Sequence, residues 1–275
     1  MISVCVPVTN REKTIESCLD SVRTQSLNPQ QVIVTEFGSS DNSRSIIAGY
    51  IEKYSLQDEW SFYWRDDEPS GAEDWNFPLD FVEMGYVAIL EGDDEWPEDY
   101  IKNATEAIKA TPSVKLIFSG FHNGKKTQDV GFKIVKNSNA LRKFSNLKWI
   151  IAPSQTIFKF DLNRVGLFKT DKYFYAPEMQ YWAELAMEEG YVVFLPKNLV
   201  FRRISDVSKF SPLYFNDHFM FLSWLREEGL ISAVAVRIRK LNLFCYNFLR
   251  FLVRVATNKK NGNGTLLSLV KNLLK

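Results

Sequence analysis

Three carboxylates fall within four positions of the stretch LEGDDEW, residues 90–96: Glu91, Asp93 and Asp94. They directly follow YVAIL (86–90), an apolar run with the composition of a buried strand. In a turn after a strand, residues i and i+2 can converge on one point. At about 5 Å and an effective dielectric near 20, each pair of ionised carboxylates repels by roughly 3 kcal/mol, so such a cluster calls for a cation. Gly92 leaves the approach to it open. Hard oxygen ligands suit Mg²⁺ or Mn²⁺, which keep several waters and complete their shell with substrate phosphates. The bland alternative is a helix N-terminus, where Pro97 suits the first position and acids favour the macrodipole. It accounts for Glu98 and Asp99 but not for a triplet placed before Trp96.

The elements that must position this turn are readable from the alternation of the first half. Apolar runs at 2–8, 31–36, 60–64, 86–90 and 114–119 are separated by segments with apolar spacing of three and four, such as Ile15, Leu19 and Val22. That order predicts an α/β fold with a mostly parallel central sheet flanked by helices. Ligands of such sheets bind outside the carboxyl ends of the strands, so the residues after each run carry the information. Those are Thr9, Asn10 and Arg11, then Glu36 and GSSDNS, then Arg65, Asp66 and Asp67, then the acidic turn. Polar residues thus converge on one edge, beyond what polar turns alone would give.

Other chemistries find less support. There is no Gly-x-x-x-x-Gly-Lys phosphate loop and no Gly-x-Gly-x-x-Gly after the first strand. The only histidines, His122 and His218, lack partners at metal or triad spacing and read as structural, with an extra metal or phosphate contact at His218 as the alternative. Cys5, Cys18 and Cys245 are few, odd in number and not in ligand spacing, so they read as reduced core residues of a cytosolic protein. No basic apolar leader precedes ISVCVPV and no apolar stretch of about 18 residues could span a bilayer, which also points to the cytoplasm.

Four motifs in order resemble the inverting family 2 glycosyltransferases of the glycosyltransferase A, Rossmann-like fold, over residues 1 to about 205. ISVCVPVTNRE resembles the opening strand whose loop touches the nucleotide base, and VIVTEFGSSDNS resembles the stretch VVDDGSTDNT. AEDWNFPLDFVEMGYVAILEGDDEW resembles the segment ending in the Asp-x-Asp metal motif, and APEMQYWAELAMEEGY the helix that carries the catalytic base. The resemblance implies that Thr9 and Glu36, with Asn10 in the same loop, contact uracil or another base, with Asn76 supporting the nucleotide or its loop. Asp93 and Asp94 would reach ribose, diphosphate and metal, and Glu91 takes the first acidic place of the motif. Glu stands for the usual Asp at 36 and 91, and Pro177 occupies the place of the Glu in the base motif. Glu178 then holds the base position, among Tyr173, Phe174, Tyr175, Tyr181 and Trp182. Apolar surroundings raise a carboxylate's pKa toward the range useful for proton abstraction, and an acid in the first turn also stabilises the helix dipole.

The implied reaction moves a sugar from a nucleotide-sugar donor, a UDP-sugar by the resemblance, to a hydroxyl of a glycan or lipid-linked acceptor, in bacterial surface polysaccharide synthesis. PSQTIFK (153–159) either lines the sugar pocket or is a simple edge strand. A catalytic domain over 1–212 is expected to be followed by a basic helical extension over 213–275. Residues 218–275 carry ten Lys/Arg and two Asp/Glu, leaving the rest of the chain at a net −7. From Ile231, apolar residues recur at Val234, Ile238, Leu241, Cys245, Phe248, Leu252 and Val255, with Arg239, Lys240, Arg250 and Arg254 opposite, and GTLLSLVKNLLK follows as a second short helix. Such a tail lies on an anionic membrane surface, making the protein peripheral on the inner face, or pairs with another subunit, or packs on its own domain. The acidic body argues against nucleic acid. Two other readings stay open: a nucleotidyltransferase, which needs no base at 178, and a noncatalytic nucleotide- or glycan-binding scaffold at the membrane.

Overall fold

The computed structural model describes residues 2–67, 73–83, 85–145, 151–161, 168–173, 176–203 and 212–243. Phe174, Tyr175, the seam from Cys245 onward with Arg250 and Arg254, and the second tail helix lie outside these residues. The chain divides into two compact units, Met1–Ser205 and Asp206–Lys275.

In the first unit β1 (Ile2–Val8), α1 (Ile15–Arg23), β2 (Gln31–Phe37), α2 (Ser43–Lys53), β3 (Trp60–Arg65) and β4 (Gly85–Ile89) follow in order. They build four adjacent parallel strands in the order β3-β2-β1-β4. All seven residues of β1 are buried. Ile2, Val4, Val6 and Val8 point into one apolar cluster with Ile15, Leu19 and Val22 of α1 and Ile47, Tyr50 and Ile51 of α2. The alternate face meets the 3-10 segment Phe77–Phe81, where Cys5 Sγ approaches Pro78 O at 4.0 Å. Burial pushes the thiols of Cys5 and Cys18 up, as expected of inert core residues.

Beyond β4 the sheet becomes mixed. After α3 (Tyr100–Ala110) come β5 (Val114–His122), β6 (Thr127–Gln128), β7 (Lys133–Lys136), α4 (Asn137–Ser145), β8 (Thr156–Phe160), α5 (Glu178–Met187) and β9 (Tyr191–Phe201). β8 inserts antiparallel between β4 and β5, and β9 runs parallel to β5. PSQTIFK is therefore a central element and not an edge strand: β8 has β4 on one side and β5 on the other. α5 packs over it through Trp182 and Tyr181, whose rings lie 5.3 and 5.4 Å from that of Phe158.

The register sets the site. Val8 pairs with Glu36 and Glu36 with Trp64, while Leu90 N–H donates to Cys5 O at 2.9 Å, so the first four loops leave one edge together. On the same edge, further along the sheet, His122 pairs with Phe201, and an isolated bridge joins Phe201 to Glu95. That bridge delivers Arg202 and Arg203 onto the acidic turn.

In the second unit α6 (Pro212–Glu227) leads through Gly229, at φ 71°, to a helix over 233–243. Lys240 Nζ donates to Ser223 Oγ at 3.4 Å and lies over the Phe219 ring. Val236 is buried, whereas Val234, Ile238 and Leu241 of the expected seam are 63%, 53% and 61% exposed. Among the described residues no helix is long and apolar enough to cross a membrane.

Candidate active site

The β1–α1 loop and the turn after β2 are laced into one surface. Asn10, at φ 54°, adopts the left-handed conformation that Asn tolerates best after Gly. Its backbone N–H donates to Ser39 Oγ (3.0 Å) and its side-chain oxygen accepts from Ser40 N (2.9 Å). Arg11 N donates to Ser43 Oγ at 2.7 Å and Glu12 N to Asp41 Oδ2 at 3.0 Å. The SSDNS segment thus holds the first loop from below.

Glu36 is fully buried within this surface. One of its oxygens accepts from Ser39 N and the other from Arg44 Nε, and Arg44 continues to Asp66 and to Arg65 O. Beside it, at the same strand ends, stand Thr9 and Asp74. Thr9 Oγ1 lies 3.1 Å from Phe37 O and 3.3 Å from Asp74 Oδ2. Burial pushes the Asp74 carboxyl up to about 6, against the pull of the Thr9 hydroxyl and the Arg11 charge. Asp74 lies in the quoted motif AEDWNF, but only the fold brings it to Thr9. Asn76 uses both ends of its amide on one residue: Nδ2 donates to Phe168 O (2.9 Å) and Oδ1 accepts from Phe168 N (3.1 Å). It ties the segment before β4 to the one before α5.

The acidic turn closes with Asp94 N donating to Glu91 O at 2.9 Å. Its carboxylates do not converge on one point. Asp93 turns outward to Arg11 Nε, 3.4 Å away. Asp94 is 3% exposed; it accepts from Arg203 N at 3.0 Å and faces Arg202 Nε at 3.4 Å. Glu91 accepts from Ser154 Oγ (3.3 Å) and lies 3.9 Å from Arg202 Nη2. Arg203 pairs with Glu95 and donates to Asp93 O at 2.8 Å. The cation that the crowding calls for is thus present as three guanidinium groups. Burial pushes Glu91 up to about 8, with the Asp94 charge adding to it and Arg202 opposing it. Asp94 is raised for the same reason and held back by Arg202. Among the described residues no three His, Cys, Asp or Glu side chains form a ready metal cage.

Beside the turn opens a cleft of about 390 Å³ lined by Asn10, Arg11, Lys13, Thr14, Asp93 and Arg203. Gly92 lies behind this wall, where a Cβ would come within 3.2 Å of Arg11 Cγ and press on the Arg11 stem. Glu12 and Asp41 complete the lining, so three cations face three carboxylates, a mixed wall on which an anionic group can meet guanidinium and ammonium donors beside a bound cation.

Glu178 is the first residue of α5, after Pro177, and is 6% exposed. Its helix is anchored by Trp182, whose Nε1 donates to Ile151 O at 3.0 Å just ahead of the Ser154 that holds Glu91. The second acid of the helix, Glu184, accepts from Gln180 Nε2 at 2.6 Å, and Gln180 accepts from Tyr173 OH at 2.7 Å.

Residues 3–167, more than half of the chain, match the profile described as Glycosyl transferase family 2. The chain belongs to this family. Among curated family relatives, the glycosyltransferase GlyA of Streptococcus pneumoniae serotype 4 is 29% identical over 107 residues, 39% of this chain and 15% of GlyA. TuaG of Bacillus subtilis, a glycosyltransferase named for teichuronic acid biosynthesis, is 30% identical over 122 residues, 44% of this chain and 46% of TuaG. The chain therefore spans less than half the length of either. Among solved structures, S. aureus TarS 1-349 in complex with UDP superposes with a TM-score of 0.61 at 19% identity, covering 80% of this chain and 64% of that one. The mannosyltransferase PcManGT of Pyrobaculum calidifontis, in complex with GDP-Man and Mn²⁺, gives 0.63 at 18% identity, covering 98% and 78%. At these identities the likeness shows a shared glycosyltransferase A-like fold. The family 2 profile spans the β1 loop, the β2 turn and the acidic turn, and it ends before α5 and before Arg202.

Proposed function

We propose that this family 2 glycosyltransferase is a metal-dependent, inverting hexosyltransferase that moves a sugar from a nucleotide-sugar to a hydroxyl of a glycan or lipid-linked acceptor in bacterial surface polysaccharide synthesis. The observation that carries the reading is Asp93, open to a cleft of mixed charge that presents Arg11, Lys13 and Arg203 at the carboxyl edge of four parallel strands. TarS with UDP or UDP-GlcNAc and PcManGT with GDP-Man and Mn²⁺ support a nucleotide-sugar donor, and the naming of TuaG supports a surface polymer.

The donor set fits Mg²⁺ or Mn²⁺, which are held by one or two carboxylates together with substrate phosphates. Asp93 would hold the ion, with Asp94 fixed behind it by Arg203 N and Arg202. When bound, the ion neutralises charge on the leaving nucleoside diphosphate. Arg11, Lys13 and Arg203 add positive charge along the same wall. Thr9 and Asp74 stand at the base end on the Asn10 frame, and Glu36 acts through Arg44 to shape that end. Glu178 takes the proton of the acceptor hydroxyl as its oxygen attacks the anomeric carbon opposite the diphosphate, which inverts that carbon.

Nucleoside-diphosphate release from UDP- and GDP-sugars, with Mn²⁺ or Mg²⁺ titrated, tests this directly. Asp93→Asn should raise the metal concentration needed for half-maximal release and lower the maximum. Release with the same metal requirement in wild type and variant would remove Asp93 from the site.

The tail is assigned to an anionic membrane surface on the cytoplasmic side. The open seam of Val234, Ile238 and Leu241 on a segment that carries ten of the chain's 34 Lys/Arg supports this. Sedimentation with phosphatidylglycerol vesicles should fall once residues 229–275 are removed. Equal pelleting of both proteins would rule the assignment out, and concentration-dependent self-association of the full chain would give the seam to a second copy instead.

A further inference from the structure

Arg202 reaches from the acidic turn into a second cleft, of about 290 Å³, whose lining includes Phe121, Gln128, Asp129, Lys133 and Gln155. Two features show that this cleft is built. Gly120 sits where the β5–β9 register shifts between Ser119 and Phe121. A Cβ at 120 would lie 2.2 Å from Gln128 O and 3.1 Å from Asp129 Cα, so only glycine lets β6 close over the strand and set those two residues at the rim. Gln155 is buried and its amide is fixed at both ends: Nε2 donates to Ser119 O at 2.8 Å and Oε1 accepts from Arg202 Nη1 at 3.3 Å. Through Arg202, one hydrogen-bonded path joins the floor of this cleft to Asp94.

We infer that this cleft holds the acceptor sugar, a neutral pyranose ring, on the glycosyltransferase reading of the acidic turn. A hydroxyl-rich ring presents donors and acceptors around its edge and a C–H face. The amide of Gln128, the carboxylate of Asp129 and the ammonium of Lys133 answer the first, and the ring of Phe121 the second. The charge balance selects a neutral ligand. Asp129 opposes Lys133 on the wall, and the Arg202 charge is offset by Asp94 and Glu91.

The test uses the full chain, with methyl glycosides of glucose, galactose and N-acetylglucosamine as probes, read by saturation-transfer NMR. Binding of UDP and GDP is measured alongside. At least one glycoside should bind wild type, and Gln128→Ala should weaken it about five- to tenfold, the loss of one or two hydrogen bonds. Gly120→Ala should weaken it further by forcing β6 off the strand. Both variants should bind the nucleoside diphosphate as wild type does. Nucleotide binding with no glycoside binding, or with glycoside binding that neither variant changes, would overturn the cleft assignment alone. Failure of wild type to bind either nucleotide would overturn the glycosyltransferase reading and this inference with it.

Discussion

Glu178→Gln is expected to cut turnover by about 10²–10⁴-fold while leaving nucleotide binding unchanged, the range for loss of a positioned general base. Three observations single this carboxylate out on its helix. It is the first residue of α5, directly after Pro177, and is buried. The other acid of α5, Glu184, lies six residues further along the helix, nearly two turns, and accepts from Gln180 Nε2 at 2.6 Å. The rigid aromatic packing of Tyr181 and Trp182 on Phe158 and Phe168 fixes where α5 begins. Glutamine keeps the size and one carbonyl oxygen but cannot take a proton at neutral pH. A purely structural role predicts something different. An acid in the first turn contributes about 0.3–1 kcal/mol through the helix dipole, which would appear in a urea melt and leave turnover per folded molecule intact. Turnover within about twofold of wild type, under saturating donor and acceptor, would take the base away from Glu178.

The first half of this fold is readable because parallel strands buried on both faces must be near-continuous apolar runs, and ISVCVPV and QVIVTE are such runs. The two strands nearest the acceptor cleft, β6 and β7, have two and four residues and carry no such signal. β8 reads as an edge because TIFKF is short and leaves Lys159 exposed, yet pairing on both sides places it mid-sheet. The same contrast holds at the site. Crowded carboxylates at 91–94 announce a cation by simple electrostatics, and a divalent metal is what the sequence predicts. The fold adds a second answer from more than a hundred residues away, through the Glu95–Phe201 bridge that no local pattern encodes. Glu36 shows the converse: a residue in a recognisable motif whose side chain the fold turns inward, onto Arg44.

Arg202→Met is expected to destabilise the protein by about 3 kcal/mol, because it leaves a buried carboxylate with its main counter-charge removed. Asp94 keeps the Arg203 N–H at 3.0 Å, and the Arg202 side chain is 24% exposed, so the loss should fall at the low end of the range for breaking buried pairs. Methionine keeps an unbranched apolar stem and removes the guanidinium, which lies 5.8 Å from the Phe121 ring centroid and donates to Gln155 Oε1. The decisive comparison is a double-mutant cycle. If Arg202 is present to neutralise the acidic turn, Arg202→Met with Asp94→Asn together should recover much of the loss, since removing both members of a buried pair costs far less than removing one. Arg203→Ala is the contrasting variant: it deletes the contacts to Glu95 and to Asp93 O but keeps the backbone donor to Asp94, so its effect should be smaller. Wild-type-like urea midpoints for Arg202→Met, or a double variant as unstable as the sum of the singles, would mean that the turn does not depend on this guanidinium. The cycle also bears on chemistry. On the proposed metal-dependent reading, a turn that carries its own cation can fold before donor and metal arrive, with Asp94 already fixed behind Asp93. On this account the single and double variants should also differ in the Mn²⁺ needed for nucleoside-diphosphate release, with Arg202→Met binding the ion more tightly because the turn is then more negative.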